Sequence, residues 1–208
     1  MRAFLIATNA KNGHRILAAG VLTALLFTSC ETTQASAANE KACRVQLSAS
    51  SLDYGRETRG QLLAKNPYGH LLSLGKKAVV VTVTCPTAQY LTLLLQAAVA
   101  DAEAFRFGDN GRFTVVLSHA QLDGKEVHLG RVKGNALSPD ASSPTLKLHP
   151  SEGAIPLLNG HSVSGKNFTL QAVFEPYVTA DASKVGDVTQ WQGVGTFEII
   201  EQAIKRRK

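Results

Sequence analysis

The sequence predicts an all-β fold, an immunoglobulin-like β-sandwich. Roughly seven or more short runs rich in Val, Thr, Leu and Phe recur along the chain, turn-forming residues separate them, and a pair of cysteines stands near the start of the pattern. No internal repeat and no helix is read from the periodicity. The only tryptophan, Trp191, lies far downstream of both cysteines. Immunoglobulin domains proper hold a tryptophan against the disulfide that joins their central strands, so the architecture is shared and the membership is not.

The chain opens with an export signal, read over residues 1–37. Arg2, Lys11 and Arg15 make a basic start, and residues 16–27 form an apolar run of about a dozen, the length of a signal core. A bilayer span needs about 20 residues. Ala35-Ser36-Ala37 supplies the small-x-small pattern for cleavage, which makes Ala38 the first mature residue. The alternative is a lipoprotein signal ending before Cys30, with Thr28-Ser29-Cys30 directly after the apolar core and Cys30 carrying the lipid. Both routes export the chain. Both leave Cys43 and Cys85 as an isolated pair in an oxidising compartment, where a disulfide is expected. It would close a loop of about 40 residues and contribute roughly 3–4 kcal/mol in the chain-entropy account.

Residues 38–200 then form one β-sandwich domain, and residues 201–208 a basic tail. The net charge of +6 divides between the leader and the tail residues Lys205, Arg206, Arg207 and Lys208, so the body is neutral. That balance excludes a nucleic-acid-binding composition. The tail reads as a solvated, frayed end.

Each strand has its own signal. "KAVVVTVTC" (residues 77–85) is β-branched and almost unbroken, as in a strand at a sandwich core. "YLTLLLQAAV" (90–99) is ambiguous by periodicity; a turn at Cys85-Pro86-Thr87 ahead of it favours a second strand. Asp109-Asn110-Gly111 parts two aromatic-rich runs and signals a hairpin. Asp123-Gly124 signals another, whose register sets Leu122 against Lys125, Ala120 against Val127, Ser118 against Leu129 and His119 against His128. Its core face is then Val116, Ala120, Leu122, Val127 and Leu129. Residues 133–164 read as loop with short strand pieces. "NFTLQAVFEPYV" (167–178) alternates Phe168, Leu170, Ala172 and Phe174 on one face, and "GVGTFEII" (193–200) carries Phe197 and Ile199 in phase.

Catalytic and metal motifs are not found, so the chain is read as a non-enzyme without a cofactor. "GHSVSG" (160–165) has the wrong spacing for a nucleophile elbow. His119 and His128, with Glu126 on the same face, are the one metal-like constellation. Two imidazoles without a firm third ligand are equally what a solvent-facing polar alternation gives, and no metal is assigned.

The order of features resembles the subunits of chaperone–usher fimbriae, the pilin-like proteins of Gram-negative bacteria. It runs from a cysteine soon after cleavage through "LDYG" (52–55), "VTVTC" (81–85) and "GKNFTLQAVFEPYV" (165–178) to "GVGTFEII" near the end. The resemblance implies an incomplete, pilin-type sandwich completed by a donor strand, with the disulfide at Cys43–Cys85. Strand addition of this kind binds through main-chain hydrogen bonds and alternate side chains. "GVGTFEII" would form one wall of the donor-strand groove, through Val194, Thr196, Phe197 and Ile199; the other wall is not assigned. The implied partners are a periplasmic pilus chaperone, an outer-membrane usher, neighbouring pilin subunits and a host surface ligand. The implied route passes through the periplasm to the fimbrium at the cell surface.

Two departures qualify the resemblance. Only Ala38-Asn39-Glu40-Lys41-Ala42 precede Cys43 after cleavage, too little to complete a neighbour, and this points to a tip or minor subunit involved in cell adhesion. The chain also runs past Ile200 to a basic end, where family chains stop. The alternative is a non-polymerising β-sandwich binding protein, periplasmic or anchored to the outer membrane through Cys30.

Overall fold

The computed structural model describes residues 2–9, 42–133, 142–186 and 188–202. Cys30, the cleavage site at residues 35–37 and the tail beyond residue 202 lie outside the described residues. Among the described residues fifteen strands and one helix follow in chain order: β1 (Arg2–Asn9), β2 (Arg44–Leu47), β3 (Ser51–Arg56), α1 (Arg59–Lys65), β4 (Leu71–Ser73), β5 (Lys77–Ala97), β6 (Phe105–Phe107), β7 (Gly111–Leu122), β8 (Lys125–Glu126), β9 (His128–Lys133), β10 (Ser142–Ser143), β11 (Leu146–Leu148), β12 (Glu152–Leu158), β13 (His161–Ser162), β14 (Ser164–Thr179) and β15 (Gln190–Gln202). The expected all-β fold is what forms.

One hydrogen-bonded network runs β10-β9-β12-β5-β14-β7-β11 and folds over on itself at β5. The first half of β5 lies between β2 and β14; its second half lies between β15 and β12. The two layers close on one main core, threaded by the rings of Phe105, Phe113, Phe174 and Phe197 at centroid separations of 5.3, 6.1 and 6.2 Å, with a small separate cluster of Val132, Ile155 and Leu157. Phe174 of β14 and Phe197 of β15 belong to different layers and meet edge to face, so this contact is the seam of the sandwich.

β5 corrects one expectation. Cys85-Pro86-Thr87 is no chain reversal: 77–97 is one strand. Asn167 pairs with Thr84 and Gly165 with Gln89, so β5 bulges out over residues 85–88 between them. Pro86 sits inside that bulge, where no ladder hydrogen bond is demanded of it. The bulge bends β5 from one layer into the other, and Cys85 at its start is bridged to Cys43.

The hairpin at Asp123-Gly124 forms as expected, with φ of 50° and 78° at its two turn residues. Leu122 pairs with Lys125, and the Val127 amide donates to Ala120. Beyond that point the expected register ends. β9 leaves to pair with β12 and β10, while β7 continues against β14 and β11, so Ser118 and Leu129 are not partners. β7 itself carries a bulge: Thr169 pairs with Gln121 but Gln171 pairs with Ser118, and His119 takes φ 51°. This extra residue flips the inward phase. Phe113, Val115 and Leu117 are buried before it, Ala120 and Leu122 after it. Val116, expected on the core face, therefore points the other way.

α1 is the second correction, since no helix was expected. Thr58 and Gln61 form a reciprocal capping box, and Leu62 is fully buried beneath the helix. Asn66 closes it and exchanges hydrogen bonds with Ser73 of β4. Among the described residues of 133–164, short strand pieces form as expected, and the longest, β12, is a seven-residue strand with both faces buried over residues 152–157.

Candidate functional site

The most distinctive feature is how β1 is held. It lies between β15 and β3, parallel to the first and antiparallel to the second. Along β15 the register runs without a break from Arg2 opposite Gln190 to Asn9 opposite Phe197. Along β3 it runs from Arg2 opposite Arg56 to Ile6 opposite Ser51, with one irregularity beside Ala3. Among the described residues β3 has no strand partner except β1.

The two walls stand on different supports. β15 is held by β5, with Gly195–Gln202 paired antiparallel to residues 97–90. β3 is held by its side chains. Leu52 and Tyr54 are buried in the core, the Tyr54 hydroxyl donates to the Phe174 carbonyl at 3.1 Å, and Lys77 Nζ donates to the Asp53 carbonyl at 2.6 Å. The Lys77 ammonium also sits 5.7 Å from the Tyr54 ring centroid. Burial, then the negative charge of Glu175, pushes the Tyr54 phenol well above its ordinary range. Tyr177 is pushed up to about 12 by burial and by Glu175, so both phenols stay neutral at physiological pH.

Between these walls the floor has a particular relief. On β15 the inward positions read Trp191, Gly193, Gly195 and Phe197, with Trp191 and Phe197 buried at either end. Glycine stands at the two middle positions, opposite residues of β1. Register sets Leu5 opposite Gly193 and Ala7 opposite Gly195. Gly195 has little slack on its own side, since a Cβ would lie 3.0 Å from Leu95 Cδ1. Trp191 in turn packs on Gly108, whose amide donates to the Gln192 carbonyl at 2.8 Å.

The residues named for the groove divide by face. Phe197 and Ile199 point toward the core, fully and partly buried. Val194 and Thr196 alternate to the opposite face, and Val194 is 50% exposed. The backbones of Val194, Thr196 and Phe197 line up with β1, whereas Ile199 lies beyond its span. The strand across β1 from β15 is β3, the "LDYG" stretch. Its signal was the inward alternation of Leu52 and Tyr54.

Cys43 and Cys85 form the disulfide, and the Cys43 amide donates to Glu201 Oε1 at 2.6 Å, tying the bridge to the end of β15. His119 and His128 each take a separate hydroxyl partner. His119 Nδ1 meets Ser118 Oγ at 3.0 Å, and His128 Nδ1 meets Ser142 Oγ at 3.1 Å. Among the described residues no three His, Cys, Asp or Glu side chains are grouped so as to hold a metal ion. Among them also, no helix is long and apolar enough to cross a membrane.

No family model matches the chain. The chain is similar to the putative uncharacterized protein YhcE of Escherichia coli strain K12, at 22% identity over 172 residues, which span 81% of this chain and 93% of that protein. Among solved structures, that of the P pilus rod subunit PapA aligns with 76% of this chain and 99% of its own, at 12% identity and a TM-score of 0.36.

Proposed function

We propose that the mature protein is a pilin-like fibre subunit that accepts a strand from a partner into the groove between β3 and β15. It is assembled by a chaperone–usher route and stands at the tip or another minor position. The observation that carries this reading is the double pairing of β1. A strand drawn from the expected leader fills a slot that the domain's own strands leave vacant. Once residues 1–37 are removed, β15 keeps an unpaired edge opposite Arg2–Asn9 and β3 loses its strand partner. Two open edges one strand apart, over an apolar floor, are a template for strand addition and an aggregation hazard until filled.

In transit the slot takes a periplasmic chaperone's strand, and at the usher a neighbouring subunit's. With only five residues ahead of Cys43 after cleavage, the subunit accepts a strand without donating one. That is the property of a fibre end, from which a surface ligand can be reached.

The test is unfolding of oxidised residues 38–208, alone and with a pilus chaperone or a peptide of sequence RAFLIATN. The expected result is aggregation or a broad transition alone, sharpened by either addition. A soluble monomer with a steep, reversible transition, indifferent to both, would overturn the reading.

A further inference from the structure

We infer that the uncleaved chain is self-complemented: its own residues 2–9 occupy the strand-accepting groove in cis, so removal of the leader is the step that opens the protein to a partner. The inference rests on the strand-accepting reading above and adds to it a named occupant and an order of events.

Three observations carry it. First, β1 is paired along both of its edges, eight residues to β15 and five to β3, which is a complete ladder position rather than a glancing contact. Second, the sequence of β1 suits a strand. "RAFLIATN" is apolar from Ala3 to Ala7 and free of proline and glycine, within a leader start whose other marked residues, Lys11 and Arg15, are basic. Third, reach permits closure within one chain. About 34 residues separate Asn9 from Arg44, and at up to roughly 3.3–3.6 Å each they span far more than the width of a domain.

A tethered strand competes at an effective concentration in the millimolar range, far above that of a partner supplied in trans. The filled groove therefore refuses other strands until the tether is cut. The competition also runs the other way. A leader whose first residues are hydrogen-bonded into the sheet is withheld from the export machinery.

The test compares full-length protein, made with its leader intact in an oxidising cytoplasm, with residues 38–208. Hydrogen exchange across residues 2–9 and binding of fluorescein-labelled RAFLIATN are the readouts. The expected result is protection of residues 2–9, with tight peptide binding to 38–208 and binding to the full-length chain weaker by about two orders of magnitude. A full-length Leu5→Pro/Ile6→Pro variant, which removes two strand amides, should regain peptide binding. If full-length protein binds the peptide as well as 38–208 does and residues 2–9 exchange freely, the inference falls while the groove reading stands. If neither protein binds it and both melt alike, the groove reading falls with it. A full-length dimer that blocks the peptide would mean strand exchange between two copies, which also overturns occupancy in cis.

Discussion

Replacing Cys43 and Cys85 by alanine tests how the domain is tied together. The bridge closes a sequence separation of 42 residues and joins β2, an edge strand paired only with β5 among the described residues, to the bulge of β5. For a loop of that size the chain-entropy account gives about 4 kcal/mol at 25 °C. In a domain of this length each kcal/mol moves the melting temperature by about 2–4 °C, so the double variant should melt roughly 8–16 °C lower. The measurement is urea unfolding of the full-length chain, in a Cys30→Ser background to remove the third thiol, followed by fluorescence. Trp191 is the only tryptophan and is 4% exposed, so one buried reporter follows the transition. The slope m should rise as well as the midpoint fall, because the uncrosslinked unfolded chain exposes more surface. A loss below about 1 kcal/mol at unchanged m would refute the reasoning. It would mean that the unfolded chain already keeps Cys43 close to Cys85.

Gly108→Ala should destabilise by about 2–4 kcal/mol and shift the Trp191 emission in the folded state. Its φ is 61°, and a Cβ would lie 2.6 Å from Trp191 Cδ1, so backbone strain and overpacking add; an unchanged melting temperature would refute this. His119→Val should lower stability by about 1–2 kcal/mol although valine favours strands and the site is exposed, because a β-branched residue resists the positive φ of the bulge. A gain measured by urea unfolding would show that the bulge relaxes at little cost. The raised phenols predict a loss of stability in alkali. Tyr54 and Tyr177 have folded pKa values above the unfolded value near 10, so their contribution is complete below pH 10 and is lost as pH rises toward 12. The buried Tyr54 adds a slope of up to about 1.4 kcal/mol per pH unit and the more exposed Tyr177 less, and Tyr54→Phe should make the decline between pH 10 and 12 shallower.

Much of the sheet was legible because its signals are local. The alternation of Phe168 through Phe174, the Asp123-Gly124 turn and the pairing of Cys43 with Cys85 each follow from residues near one another or from simple counting. What escaped depends on distant partners. Nothing near Cys85-Pro86-Thr87 says that the strand resumes across the bulge, since the reason lies in pairing with Asn167 and Gly165 on β14. The phase flip at His119 likewise needs Gln171 opposite Ser118 to be seen. α1 is too short for periodicity to register, although Thr58 and Gln61 spelled its capping box. The second groove wall was hidden for a different reason. What sets β3 across from β15 is β1, a strand in a segment that reads as a targeting signal.

The continuity of β5 has a mechanical consequence. A rod of 21 residues, on the order of 70 Å when extended, runs from beside β4 in one layer to the groove wall in the other. Tension applied along β15 passes into β5 through eight residue pairs aligned with the pull, and from β5 into β14 through the paired stretch beyond the bulge. Bonds loaded side by side in shear must yield together, whereas bonds loaded from one end peel in turn. The disulfide sits at the junction of the two loaded spans and ties β2 covalently to β5 at that point.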